Sequence, residues 1–181
     1  MRFKTRFKWA ILASLLLAPL ALQAETYFTP QQFLDNSFGV NKPQLQTLWM
    51  TKDVAAQAEN ILGHAYKQAR VRYWKNASQS AWILDEIGKE EPITAGFLVE
   101  SGQLKQVTVL AYWESRGGEV RYPNFLKQYQ GANLQADYQL NKTIDGISGA
   151  TLSVRAMGRM ARLALYFEHI SHTDQTQTDL H

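Results

Sequence analysis

The chain has no cysteine among its 181 residues. That absence removes a disulfide framework, a lipid-modified cysteine, a thiolate metal site and thioether-bound haem from consideration. Histidine is scarce too. His64, His169, His172 and His181 are the four, and three of them fall in a polar C-terminal tail, residues 169–181. Nothing else in that tail supplies ligands, so "EHISH" reads better as solvated chain than as a metal site. There is no internal repeat and no glycine/serine linker. The first apolar run, "WAILASLLLAPLAL", has fourteen residues with Pro19 inside it, short of the roughly 20 that a spanning helix needs.

What precedes and follows that run gives it a meaning. "MRFKTRFK" carries four basic residues and no acid, and "LQA" ends at Ala24 before the polar "ETYFTP". A charged start, a short apolar middle and a small residue at the end are the parts of a secretory signal peptide, so residues 1–24 are predicted to be cleaved after Ala24. The competing reading is a retained anchor. Of the 19 Lys and Arg residues four lie in this leader, leaving 15 against 16 Asp and Glu. The isoelectric point near 9.1 therefore belongs to the leader and gives no support to nucleic-acid binding. Residues 25–181 are enough for one domain with a single core.

Along that domain the punctuation is clear in places. "FTPQQFLDNSF" predicts a short helix with Thr29 as its cap and Pro30 at the first helical position. "TKDVAAQAENILGHAY" predicts a longer one with Val54, Ala58, Ile61 and Leu62 on one stripe. "VRYWKN" and "SAWILDEIG" read as strands, and "ITAGFLVESGQLKQVTVLAYWES" as a hairpin turning at "ESGQ". A glycine-bearing loop, "SRGGEVRYP", and a short helix ending before Gly131 follow. "LSVRAMGRMARLALYFEH" is the last helix, with a core stripe and with Arg155, Arg159 and Arg162 on a face that reads as solvated. Trp74, Trp82, Tyr112 and Trp113 sit in strands, where aromatic residues serve the core more often than a ligand. Antiparallel strands with segregated helices make an α+β domain, a single antiparallel sheet flanked by helices.

Just before the last helix stands "DGISGATLS", with a carboxylate, a turn glycine and three hydroxyls in nine residues. A plain helix start explains part of it: Asp145 and Gly146 suit a turn, and Ser148 can cap. Thr151 is left without a task. A helix start with free N–H groups and a glycine beside it is also a ready phosphate site, and a threonine hydroxyl there can be esterified by that phosphate. The residues alone leave the cap and the anion site both open.

"D-G-I-S-G-A-T" resembles the attachment motif of the FMN-binding domain found in the flavin-carrying subunits of sodium-pumping NADH:quinone reductases and Rnf electron-transport complexes. The motif is an aspartate, two residues, Ser or Thr, then Gly-Ala-Thr. Five such positions arise by chance in roughly one chain of this length in a few thousand. The resemblance implies that Thr151 bears FMN through a phosphoester, with Asp145, Ser148, Gly149 and Ala150 as recognition residues and Ser153 close by. It further implies a flavin transferase outside the membrane that uses FAD as donor and magnesium. "GFLVESGQLKQVTVLAYWESRGGEV" is similar to the strand pair before the motif in that family, which makes Glu114, Ser115, Arg116 and Gly117 expected contacts of the flavin. The similarity runs from about Arg72 to Phe167. It divides the chain into a leader (1–24), an N-terminal helical region (25–71), an FMN-binding core (72–168) and the tail (169–181). Relatives in the large complexes are longer and keep a membrane helix, so their partner complex does not carry over.

The implied protein is a periplasmic electron carrier or accessory redox subunit, served by the transferase and by a redox partner that can be membrane-bound. No Ser/His/Asp triad and no paired carboxylates point to an enzyme with its own organic substrate. Two rivals remain from other classes: a module that binds flavin or another phosphate ligand reversibly, and a structural adaptor in which "SGAT" only starts a helix.

Overall fold

A computed structural model describes residues 25–178; the expected leader, residues 1–24, and His181 lie outside the described residues. Six strands form one sheet: β1 (Glu25–Thr26), β2 (Gln44–Trp49), β3 (Arg70–Lys75), β4 (Gln79–Ile87), β5 (Pro92–Glu100) and β6 (Gln103–Tyr112). Their order is β1-β6-β5-β4-β3-β2, every pairing antiparallel. Four α-helices accompany them: α1 (Pro30–Phe38), α2 (Lys52–Leu62), α3 (Pro123–Leu126) and α4 (Thr151–Thr178). This is the expected α+β domain with an antiparallel sheet flanked by helices.

Both faces of the sheet are covered, and strand alternation sorts the residues between them. On β4, Trp82 and Leu84 enter the main core with α2 and α4, whereas Ala81 and Ile83 meet α1 on the other side. Phe33, Leu34 and Phe38 of α1 close that second face against Leu98 and Leu110. Each buried Phe or Leu there contributes about 1.5–3 kcal/mol of apolar burial. Trp82 is fully buried and stacks on Tyr73 with centroids 4.2 Å apart. Tyr112 is buried as well, Trp74 half-buried and Trp113 exposed, so the core reading of the strand aromatics fails only for Trp113.

The helices begin and end largely where their punctuation says. Thr29 caps α1 in a reciprocal capping box with Gln32, and Pro30 follows it. Thr51 caps α2, which Gly63 ends. The hairpin turns at Ser101 and Gly102, both with positive φ. Two strands had no clear sequence signal, β1 and β2. The tail also differs from expectation: α4 continues beyond His169 to Thr178. Ser171 is buried there, and the buried Glu168 accepts hydrogen bonds from Ser80 Oγ and from His172 Nε2, the latter at 2.8 Å. Among the described residues no helix is long and apolar enough to cross a membrane.

Candidate functional site

A bulge brings the end of β6 to the start of α4. Thr94 pairs with Ala111 but Ala95 pairs with Val109, so Leu110 is an extra residue in the β6 edge of the hairpin. Val107 and Val109 point into the α4 side of the core; the extra residue reverses the alternation, and Tyr112 follows them there. Its hydroxyl donates to the Arg116 carbonyl. With that proton committed, Ser153 Oγ donates to the Tyr112 oxygen across 2.9 Å. Burial pushes the Tyr112 phenol up, only partly offset by Ser153, so it stays protonated and keeps donating.

Gly117 lets the loop after β6 lie against the helix. Its φ is 86°, and a Cβ there would stand 2.8 Å from both Tyr112 Oη and Ser153 Oγ and 3.2 Å from Ala150 Cβ. A side chain would therefore force the loop off α4.

The start of α4 is open. The Ala150 N–H closes a turn onto the Ile147 carbonyl, with Gly149 at φ 81° inside it. Ala150 then accepts from Val154 N–H at 3.0 Å, which makes it the capping residue. It has no side-chain oxygen to offer. Ser148, expected as a cap, lies instead in the preceding turn, exposed, and its hydroxyl bonds to no helix N–H. The N–H groups of Thr151, Leu152 and Ser153 have no acceptor among the described residues. Thr151 is the first helical residue; it is exposed, and its hydroxyl has no partner among the described residues. No carboxylate or imidazole among the described residues is hydrogen-bonded to that hydroxyl, although Glu90 and Glu114 line the same cleft.

Two adjoining clefts open here. The larger, about 600 Å³, runs from Ser148 and Gly149 along Glu114–Glu119 to Tyr27, Arg121 and Tyr122. The other, about 550 Å³, lies over Gly149–Ser153 and is bounded by Lys89 and Glu90. They share Glu114, Ser115, Arg116 and Gly149. The structure thus gathers Glu114, Ser115, Arg116, Gly117, Ser148, Gly149, Ala150, Thr151 and Ser153 at one place. Asp145 stands apart: it lines neither cleft, and its carboxylate makes no bond among the described residues, while its N–H donates to Gln128.

These residues have unequal freedom. Glu114 Oε1 accepts from the N–H groups of Lys89, Glu90 (2.7 Å) and Glu91 (3.1 Å), tying down the β4–β5 turn. Burial opposes ionisation of Glu114, but those three donors prevail and hold it below the usual carboxylate value. The Ser153 hydroxyl is engaged by Tyr112. Arg116, by contrast, is exposed and its guanidinium has no partner among the described residues, so it is free to meet an anion at the helix start. Sequence reasoning missed the far wall. Arg121 donates to Tyr27 Oη at 2.7 Å and lies over the Tyr27 and Tyr122 rings at 4.7 and 5.3 Å. Arg121 and Tyr122 fell in what read only as a glycine-bearing loop, and no motif marked Tyr27. Among the described residues no three His, Asp or Glu groups converge on a metal position.

A three-donor helix start, an exposed guanidinium and an adjoining cleft are suited to a phosphate-bearing ligand with a bulky remainder. Residues 88–166 match the family model of the FMN-binding domain. A comparison with curated proteins finds no match. The match to the FMN-binding domain supports FMN as the cofactor, and the residues present fit it. The phosphate suits the open first turn of α4 with Arg116, and the cleft toward Tyr27, Arg121 and Tyr122 has room for the ring.

Proposed function

We propose that the protein is an exported electron carrier that holds FMN covalently, through a phosphoester to Thr151. The observation that carries this reading is the state of Thr151. Its hydroxyl is exposed and unpartnered at the first position of a helix whose first three N–H groups lack acceptors. A threonine placed to cap would have bonded one of them. No base among the described residues is bonded to Thr151, which accords with attachment by a separate flavin transferase, with FAD as donor and magnesium. Thr151 Oγ1 takes the FMN phosphate, the pyrophosphate link of FAD breaks and AMP departs, and the threonine proton passes to the transferase.

Once attached, FMN supplies one- and two-electron transfer. The chain's own residues hold the phosphate, wall the cleft and place cationic Arg116 and Arg121 along it. A phosphoester retains the cofactor in an extracytoplasmic space whatever the non-covalent affinity. The compartment follows from the leader, residues 1–24, and the electron donor and acceptor are separate proteins, of which one can be membrane-bound. Intact-mass spectrometry of protein exported in its native host tests the reading. One FMN adduct mapping to Thr151 is expected. Yellow colour lost on denaturation would replace it with reversible binding, and a colourless, unmodified chain with a structural adaptor.

A further inference from the structure

Of the α4 arginines, Arg155 is exposed as their spacing suggests, but Arg159 and Arg162 are half-buried and engaged. Arg159 pairs with the buried Glu86 at 2.7 Å, and its Nε is buried with no acceptor among the described residues. Arg162 reaches back to the Ile61 carbonyl at 3.0 Å and to Gln139 at 3.1 Å, both neutral oxygens. Burial and then the neighbouring Arg159 push Arg162 down, the direction expected of a guanidinium short of counter-charge. Among the described residues Arg155, one turn before Arg159, has no partner, and Lys142 bonds only the Gln130 carbonyl. These four cations line one cleft of about 370 Å³ together with Gln139, Leu140 and Gly158, and no acidic residue lines it.

Gly158 adds an independent observation. It lies inside α4, where glycine is a poor choice, yet a Cβ there would meet nothing within 4 Å. Packing within the chain does not require it. What its missing side chain provides is an open floor to the cleft, on which a ligand can reach the helix between Arg155 and Arg162.

We propose that this cleft binds an anionic phosphate or phosphate ester, at a site that shares no residue with the flavin clefts. Guanidinium forks match phosphate oxygens in pairs. The single carboxylate behind the cleft, Glu86, is engaged by Arg159 and by His64 at 3.0 Å, which leaves a surplus of positive charge facing outward. The volume suits a small polyphosphate or a lipid headgroup.

Calorimetric titration of the flavin-loaded protein, whose phosphate position at the start of α4 is filled, with inorganic pyrophosphate tests the site, in parallel with flotation on vesicles of phosphatidylglycerol or of phosphatidylcholine alone. Pyrophosphate binding is expected to weaken at least tenfold in Arg155→Gln. In Gly158→Ala it should weaken while the melting temperature rises, so a folding defect cannot explain the loss. Arg116→Gln, which alters the flavin clefts, should leave it unchanged. Binding only to phosphatidylglycerol vesicles, with the same dependence on Arg155 and Gly158, supports the site and names a lipid headgroup as its source. Binding that ignores both substitutions, binding that follows Arg116 instead, or no binding of either probe overturns it.

Discussion

Helices α1 and α4 both begin beside a threonine, and the two threonines have opposite fates. Thr29 stands just outside α1, and its hydroxyl accepts from Gln32 N–H at 3.1 Å while Gln32 returns a bond to the Thr29 N–H at 2.8 Å. Thr151 stands one position further in, as the first helical residue, with Ala150 in the capping place. The shift of one residue releases the hydroxyl and leaves three backbone donors open. At α1 the chain satisfies its own helix start. At α4 it withholds that satisfaction, and in the proposed function the free groups meet the cofactor phosphate.

The comparison breaks first at Thr151. Thr151→Val keeps the branched shape and a similar helix propensity, so its melting temperature should barely move while covalent flavin is lost completely. A fluorescent flavin band on a denaturing gel of that variant would overturn the assignment. Gly117→Ala comes next. It forces a side chain into the left-handed region and against Tyr112, Ser153 and Ala150, which should cost more than about 1 kcal/mol. Denaturant titration should show that loss together with reduced flavin loading, because the loop leaves the helix start.

Thr29→Ala sharpens the contrast from the other side. Losing a satisfied cap costs about 1 kcal/mol, and flavin content measured by absorbance should be unchanged. The smallest effect is expected at Glu114, whose carboxyl is held below the ordinary 4.5 in the folded protein. A depressed carboxylate contributes stability that is complete above its unfolded value and lost as pH falls through its folded one. Glu114→Gln should therefore melt slightly lower at neutral pH and show a shallower decline below about pH 4.5 than the parent. Parallel melting curves across that window would show that the loop anchor does not depend on the charge.

The parts legible in the sequence were those set by neighbours along the chain. The caps at Thr29 and Thr51, the Ser101–Gly102 turn and the "DGISGAT" spelling are all local. β2 was invisible because an edge strand with one buried residue, Leu48, carries no apolar alternation. The Tyr112–Ser153 bond could not be foreseen, since it depends on the bulge at Leu110 reversing the facing of β6. Counting alternation from Val107 would have sent Ala111 inward instead. The role of Ser148 was misjudged for a related reason: the turn closed by Ala150 places the helix start later than a serine followed by glycine suggests. Tyr27 and Arg121 are 94 positions apart, and only the folded sheet edge brings them together.

The length and burial of α4 set how freely anything fastened to its first residue can move. Behind the open turn, Ala156, Met157, Met160, Ala161 and Ala164 have no exposure at all. Further along, Glu168 is bonded to Ser80 on the sheet. Such a helix opens only when the whole domain does, while its first amides exchange with solvent freely. A phosphoester at Thr151 would therefore be anchored on a fixed mount, a single short side chain at the end of a helix buried along its length. The remaining joints are those of the cofactor's own phosphate and ribityl chain, so what limits the travel of the ring is the cleft that receives it and not the protein backbone.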